Sequence, residues 1–391
     1  MGLFGKKKGD GAAGGVQEAA AADGRIVITE NADLAEVVPQ ENDFAARVRS
    51  FRDWFSENEA HIAEMAAQGG DIDPDAFVAF LSEGVGRISD RLYFNIGGDN
   101  EFTFAVSGDE YLHFLLPYIV EQMPEALQGK WHFFAGMPGT HGQSFGLRMN
   151  GADASADEVF VSMTVPKDAH KADLRFYSEK LKDLEDNQAY GFFFIMMDNI
   201  VGEALSFTCV GGVDRAAGME AGMIPLNELE AKLRAGLWTQ EGDPNPAHNY
   251  FVYQLEAKGD TPRSDVFIGR NCYAGILNAY MDGEPWAFDA FAGCGAQPVF
   301  LCYETDTKRA DPLGERNAVE DELAETVLNE EAKDRAGLVL GAAMGRQFAY
   351  IDFLVYDAAA FLAGLKTVLA GYPGVKFYLA EFKRGGKIAE M

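Results

Sequence analysis

The feature that most constrains the fold of this chain is a pattern that occurs twice. Residues 75–134 and residues 319–382 both show the apolar spacing of a helix, two strands, a second helix and a final strand, in that order. Elements in the same order with the same buried faces pack in the same way. The two stretches therefore predict two related units in which helices pack on antiparallel sheet.

Local signals support the same order of elements in both copies. Alternating apolar residues indicate paired strands over 92–106 and 338–356. Asp109 and Asp357 follow these strands, and each is a suitable N-cap for the apolar helical stripe behind it. Pro117 lies inside the first of these helices, where its ring clashes with the preceding turn, so we expect a kink or a shortened helix there.

Length and composition favour more than one folding unit. The chain has 391 residues, which exceeds what a single hydrophobic core usually serves, and 48% of them are hydrophobic. We predict the α+β class, with two related domains that contain ferredoxin-like (split βαβ) units packed on antiparallel sheets. The expected divisions are a disordered tail at 1–24, a first α+β domain at 25–236, a linker at 237–248, and a second α+β domain at 249–391 whose C-terminal part is ferredoxin-like.

A second, shorter repeat links the two expected domains. Gly202-Glu203 and Gly283-Glu284 each end an apolar run, and a phenylalanine follows each glutamate at the same distance. A helix that ends at a left-handed glycine and leads into a strand explains this repeat without any chemistry. The functional alternative is that Glu203 and Glu284 mark equivalent sites in the two domains.

The formal net charge of −28 indicates which partners are disfavoured. Such a surface repels phosphates and anionic lipids, so we expect neither nucleic-acid binding nor stable membrane association. The start of the chain, GLFGKKK, is a short basic-apolar patch that binds a membrane weakly by itself, and its role stays open. The longest apolar run is too short to span a bilayer, so we expect a cytoplasmic protein.

The same charge suits a basic protein partner. Glu320, Glu322 and Glu325 crowd one short helical segment whose apolar residues are expected to face a sheet. These three glutamates form the candidate interaction surface. The alternative explanation is a solvated surface helix without a partner.

Residues with catalytic or metal-binding chemistry are scattered along the chain. The cysteines form no CxxC pair and the histidines no i, i+4 pair, so we predict no metal site and no cofactor. The loop at 136–144 (GMPGTHGQS) places His141 and other polar groups on irregular backbone, although a plain connection between strands explains it too. Glu203, Glu284 and His141 are the candidate site residues.

Two functional hypotheses remain open at the level of sequence. The leading one is a non-catalytic protein-binding or regulatory protein that acts through an acidic surface. The alternative is a small-molecule-binding protein or a hydrolase-type enzyme with a site between the two domains. The sequence has no GxxxxGK[ST] or HExxH motif and no GxGxxG that follows a predicted strand, which favours a non-catalytic role without deciding it.

A family resemblance adds one expectation. The stretch 319–382, with its acidic helix, paired strands, Asp-capped helix and closing strand, resembles the bacterial family catalogued as domain of unknown function 695. The helix containing FRDWFSENE and the segment DNIVGE are similar to proteins in which such domains occur. The resemblance covers about the last quarter of the chain and implies no established activity.

Overall fold

The computed structural model describes residues 26–68, 73–106, 108–166, 171–237, 245–259, 261–305, 311–329 and 332–391. The expected tail at 1–24 lies outside these residues, as does most of the expected linker, 238–244. Within the described ranges, no helix is both long enough and apolar enough to cross a membrane.

The described residues form a mixture of helix and sheet, as the α+β prediction requires. The α-helices are α1 Leu34–Val37, α2 Phe44–Gln68, α3 Pro74–Val85, α4 Leu116–Glu121, α5 Glu125–Gln128, α6 Asp186–Val201, α7 Glu203–Cys209, α8 Leu229–Gly236, α9 Ala274–Asp282, α10 Trp286–Gly293, α11 Pro312–Thr326 and α12 Ala358–Leu369. The strands are β1 Tyr93–Gly97, β2 Glu101–Ala105, β3 His132–Ala135, β4 Gly146–Met149, β5 Ala152–Ser155, β6 Phe160–Thr164, β7 Ala172–Tyr177, β8 Val210–Arg215, β9 Ile224–Pro225, β10 Phe251–Gln254, β11 Val266–Asn271, β12 Gln297–Glu304, β13 Gly337–Gly345, β14 Phe348–Val355, β15 Phe377–Glu381 and β16 Ile388–Glu390.

The largest sheet has seven strands in the order β10-β11-β13-β14-β12-β15-β16, and every neighbouring pair is antiparallel. Every residue of β13 and β14 is buried, because both faces of the sheet are covered. On one face α11 and α12 pack through Val319, Leu323 and Phe361. A continuous run of apolar residues in place of strict alternation is typical of strands covered on both sides.

The opposite face of this sheet shares a core with the first part of the chain. Phe44 of α2 packs against Tyr356, with ring centroids 5.3 Å apart, and Phe114 packs against Tyr273 at 5.1 Å. The three-stranded sheet β1-β2-β3 contributes Phe102 to the same core, where it packs on α2. One core thus draws on residues from both sides of the expected linker.

A separate core lies within residues 152–237. The four-stranded sheet β8-β7-β6-β9 packs against α6 and α8, and Phe176 stacks on Phe193 at 4.2 Å. The short strand β9 and a 3-10 turn lead directly into α8.

The expected effect of Pro117 is present. Residues Glu110–Phe114 form a 3-10 helix, and α4 begins only at Leu116, with Pro117 in its first turn. A proline is tolerated in a first turn because its missing N–H has no partner there in any case. The segment is therefore divided into two short helices.

Candidate functional site

The break between α6 and α7 positions the best-formed candidate site. The buried face of α6 is fixed by Phe192, Met196 and Ile200, which recur at helical spacing. Gly202 ends α6 with a φ of 92°, a conformation that favours glycine, and α7 begins at the next residue. Each repeated glycine thus joins two helices, since Gly283 likewise lies between α9 and α10, and the expected helix-to-strand turn is wrong.

The loop at 136–144 docks against this break largely through its backbone. Pro138 forms an isolated antiparallel bridge with Gly202, and the Thr140 N–H donates to the Asn199 carbonyl at 3.1 Å. A Cβ atom on Gly202 would lie 2.9 Å from the Gly139 nitrogen, and one on Gly139 would lie 2.7 Å from the Ile200 oxygen. Two glycines facing each other are what permits so close an approach.

A cleft of about 700 Å³ opens beside the break, and we call it the α6 cleft. One wall comes from α6 and α7, and the other from the segment that follows β2 and runs to His113. Phe194 and Ile195 line the cleft, and these apolar residues are 40% and 42% exposed. Exposed apolar residues that line a cleft are characteristic of a surface covered by a ligand or partner.

The acidic end of the α6 cleft holds two neighbouring carboxyl groups. Burial raises the pKa of Asp198 to about 6, the charge of Glu203 acts in the same direction, and a hydrogen bond from Ser206 opposes both. The Glu203 carboxylate accepts a hydrogen bond from the Met137 N–H at 3.0 Å. The loop at 136–144 thus holds Glu203 in place, and Asp198 can exchange a proton near neutral pH.

The other end of the cleft is organised around Phe207. The Lys171 ammonium group donates to the Phe207 carbonyl oxygen at 2.6 Å and lies 4.9 Å from the ring centroid. Lys171 is an exposed residue, and the partial burial of its ammonium group lowers its pKa. His113 stacks on the same ring at 4.7 Å, and burial together with the Lys171 charge lowers the pKa of His113 to about 4. His113 is therefore neutral at physiological pH.

The three candidate site residues from sequence do not converge. Glu203 lines the α6 cleft. The His141 side chain is 73% exposed, has a φ of 50° and contacts the Glu230 carboxylate at 3.2 Å. Glu284 is exposed in the turn between α9 and α10 and does not line the α6 cleft. The cleft also lies inside the expected first domain rather than between the two domains.

The residues that sequence reasoning missed are Asp198, Lys171 and His113. Asp198 carried a readable signal, since it is the one charged residue in the apolar run from Gly191 to Val201. Burying a carboxyl group in such a run is costly unless other groups bind it. Lys171 and His113 belong to distant segments, and only the fold brings them to Phe207.

The candidate acidic surface divides into buried and exposed positions. Glu320 is 3% exposed, and it pairs with Arg270 of β11 at 2.5 Å and with Arg316 at 3.6 Å. It is therefore not part of an exposed acidic face, because its carboxylate points to the sheet. Glu322 and Glu325 are exposed, and Glu322 accepts a hydrogen bond from the Tyr372 hydroxyl at 2.7 Å.

No cluster of three or more His, Cys, Asp or Glu side chains suited to a metal ion occurs in the part of the chain that the structure describes. Comparisons with protein-family models, with curated proteins and with solved structures find no match. The resemblance to domain of unknown function 695 is therefore wrong, because no family model matches this chain. A similar order of elements arises in unrelated α+β proteins and does not carry family membership.

Proposed function

We propose that this protein binds a small organic molecule in the α6 cleft. The observation that carries the proposal is the pair Asp198 and Glu203, two carboxyl groups of the same sign held side by side at the end of a partly apolar cleft. The charge of Glu203 disfavours the ionised form of Asp198, so the pair adds no favourable charge–charge interaction to the fold. Ser206 and the Met137 N–H each donate one hydrogen bond to the pair, and a ligand would supply the further donors or the positive charge that explain it.

The walls of the cleft suit the rest of such a ligand. Phe194, Ile195 and Met137 provide apolar surface, while Asn199 and Ser206 provide polar groups. The volume of about 700 Å³ falls within the range of small-molecule sites, roughly 300–1,000 Å³. An apolar wall supplies binding energy and a few fixed polar groups supply orientation.

The proposal assigns binding and no reaction. A nucleophile in an enzyme is hydrogen-bonded to a base that a third group orients. Here the Ser206 hydroxyl bonds to Asp198, while His113 packs its ring on Phe207. These two side chains serve the architecture of the cleft.

The test is a ligand screen with matched variants. We expect a library of small organic molecules, followed by ligand-observed NMR, to yield compounds that bind the wild-type protein. Asp198→Asn and Phe194→Ala should each weaken the hits by about tenfold, whereas Glu185→Gln, which removes an exposed charge just before α6, should not. A screen without hits, or hits that are indifferent to both cleft variants, would overturn the proposal.

A second candidate function is recognition of a basic protein through an acidic face. The net charge of −28 favours it, and Glu322 and Glu325 on α11 are exposed positions from which it could act. Under this proposal the protein works in the cytoplasm without nucleic-acid binding or stable membrane association. Charge reversal at these two glutamates tests it, as described in the Discussion.

We further propose that residues 297–381 are a ferredoxin-like unit and that residues 93–135 are a related one. The order β13-β14-β12-β15 supports the first part, because it is the order of a split βαβ unit. In the earlier unit β3 pairs with β2 in parallel. In the later unit β15 and β14 also run parallel to each other, with β12 between them and antiparallel to both. This shared direction supports a common plan.

A further inference from the structure

A second cleft, of about 510 Å³, opens along one face of α10, and we call it the α10 cleft. Trp286, Asp289, Ala290 and Gly293 line it at the spacing i, i+3, i+4, i+7, so the whole of this helix face looks into the cleft. The facing wall comes from the residues before β1 and after β2. The α10 cleft therefore lies where the first part of the chain meets the helices that cover the seven-stranded sheet.

The aromatic lining of the α10 cleft is unusually open to solvent. Trp286 is 48% exposed at the start of α10, although tryptophan is the side chain that gains most from burial. Tyr111 and Tyr273 lie deeper and are themselves buried, so the cleft has an aromatic floor and an aromatic edge. Aromatic faces in this position attract a positively charged group.

The charged residues of the α10 cleft also favour a positively charged ligand. Four carboxylates line it, and one arginine, Arg91, is the basic residue among the described lining residues. Within the described part of the chain none of the four makes an ion pair or a side-chain hydrogen bond that would neutralise it. The four are Asp90, Asp109, Glu110 and Asp289.

We propose that the α10 cleft binds a small organic cation, an ammonium group on a short carbon skeleton, held between Trp286 and the carboxylates. The aromatic face favours a cation over a neutral amine or alcohol of the same shape, and the carboxylates favour it over an anion. A cleft of about 510 Å³ suits a whole small molecule as well as a single basic side chain of a protein. This inference does not rest on the α6 cleft, which has different lining residues apart from Gly108 and Glu110.

The first arm of the test compares a cation with its uncharged isostere. Choline and dimethylbutanol have nearly the same shape, and titration calorimetry at low ionic strength measures both. We expect choline to bind and dimethylbutanol to bind at least tenfold more weakly. Equal binding of the two, or no binding of choline, phenethylamine or arginine amide at millimolar concentration, would overturn the proposal.

The second arm places the cation in the cleft. Gly293 ends α10 without a positive φ, and a Cβ atom added there meets nothing within 4 Å, so Gly293→Leu fills the cleft without straining the helix. We expect Gly293→Leu, Trp286→Leu and Asp289→Asn each to weaken choline by about fivefold or more. Glu284→Gln removes the same charge in the adjoining turn without lining the cleft and should leave the affinity unchanged.

The variants also identify the source of the cation. Tighter binding of an arginine- or lysine-containing peptide than of every free amine would assign the site to a protein side chain, and the reverse would assign it to a metabolite-sized amine. Melting curves of all variants establish that each is folded. If choline binds a folded Gly293→Leu protein as well as it binds the wild type, the cation lies elsewhere and the inference fails.

Discussion

Two largely buried aspartates, Asp352 and Asp198, face opposite surroundings. Asp352 is fully buried in the seven-stranded sheet, where Arg263 donates to both of its oxygens and Asn271 adds a hydrogen bond at 3.3 Å. The guanidinium group also lies 4.4 Å from the centroid of Phe382. Burial opposes the charge of Arg263, but the Asp352 carboxylate and nearby tyrosines outweigh it, so the pKa of Arg263 is raised.

Asp198 in the α6 cleft has no such partner. Its neighbour is Glu203, which has the same sign, and the cleft is open to solvent. The fold thus pairs the enclosed Asp352 with an arginine and leaves Asp198, beside the cleft, with a hydrogen bond from Ser206 and no cation. Under the proposed function, a carboxyl without a cation beside an opening is the feature that marks the binding site.

The largest expected effect is that of the substitution Asp352→Asn. It leaves the Arg263 charge buried without compensation, which lowers the free energy of unfolding by about 3–5 kcal/mol. Urea denaturation followed by circular dichroism measures the loss. Glu325→Gln, an exposed glutamate, is the control and should change little. A loss below about 1 kcal/mol for Asp352→Asn would show that the pair does not stabilise the sheet.

Gly202→Ala tests the backbone on which the α6 cleft is built. Its φ of 92° disfavours any side chain, and the new Cβ would meet the Gly139 nitrogen at 2.9 Å, so we expect a loss of about 2 kcal/mol or more. Gly191→Ala is the matched control, since Gly191 lies inside α6 with open space around it.

The control should be neutral or stabilising by up to about 1 kcal/mol, because alanine has the higher helix propensity. Thermal denaturation of the two variants decides the matter. Equal effects would mean that helix propensity, rather than the contact between Gly202 and Gly139, determines the outcome.

Asp198→Asn should have the opposite sign to Asp352→Asn. The folded-state pKa of Asp198, about 6, lies above its ordinary value of 3.8, so folding favours the protonated form. Wild-type stability is therefore lost as the pH rises from about 3.8 to about 6, and the loss persists above that.

An asparagine carries no such penalty. We expect Asp198→Asn to be more stable than the wild type by about 1 kcal/mol at neutral pH, with the difference vanishing near pH 4. Denaturation curves across this pH range measure it. A variant that is less stable than the wild type at neutral pH would contradict the view that Asp198 is unmatched.

The smallest expected effect on stability concerns α11. The double charge reversal Glu322→Lys with Glu325→Lys should change the free energy of unfolding by less than about 0.5 kcal/mol, because both side chains are exposed. It should also weaken the capture of a lysine-rich peptide if the acidic face binds basic partners. Undiminished capture would count against that second function. Glu320→Lys, by contrast, should destabilise strongly, since it places a buried cation against Arg316, which is buried, and Arg270, which is partly exposed.

Much of the secondary structure follows from local spacing. Helix α2, the strands β1 and β2, and the Asp357-capped helix α12 lie where the apolar period and the cap residue place them. The shared core could not be predicted in this way, because it depends on which strands pair across the chain. In the same way Glu320 looks solvated until Arg270 of β11 is placed beside it.

The candidate site also contains residues that local sequence signals identify and residues that only the fold brings together. Glu203 could be identified from the sequence because the repeated Gly-Glu pair is a local signal. The roles of Asp198, Lys171 and His113 depend on burial and on contacts between distant segments. Neither can be predicted from one segment of the sequence. Motif reasoning finds residues with unusual backbone requirements more readily than residues with unusual electrostatics.

The hydrogen bonds that tie the beginning of the described chain to its far end govern the order in which the molecule can assemble. Asn31 bonds to Ile388, Ile26 to Gln347, and the Asp43 carboxylate to the Ala358 N–H. In a nascent chain, Phe51 and Phe55 of α2 can pack on Phe102 early, whereas Phe44 waits for Tyr356 until most strands of the largest sheet have been made. Contacts between such distant residues slow folding and prolong exposure to aggregation, so we expect this protein to complete its fold after synthesis and to rely on a chaperone while it waits.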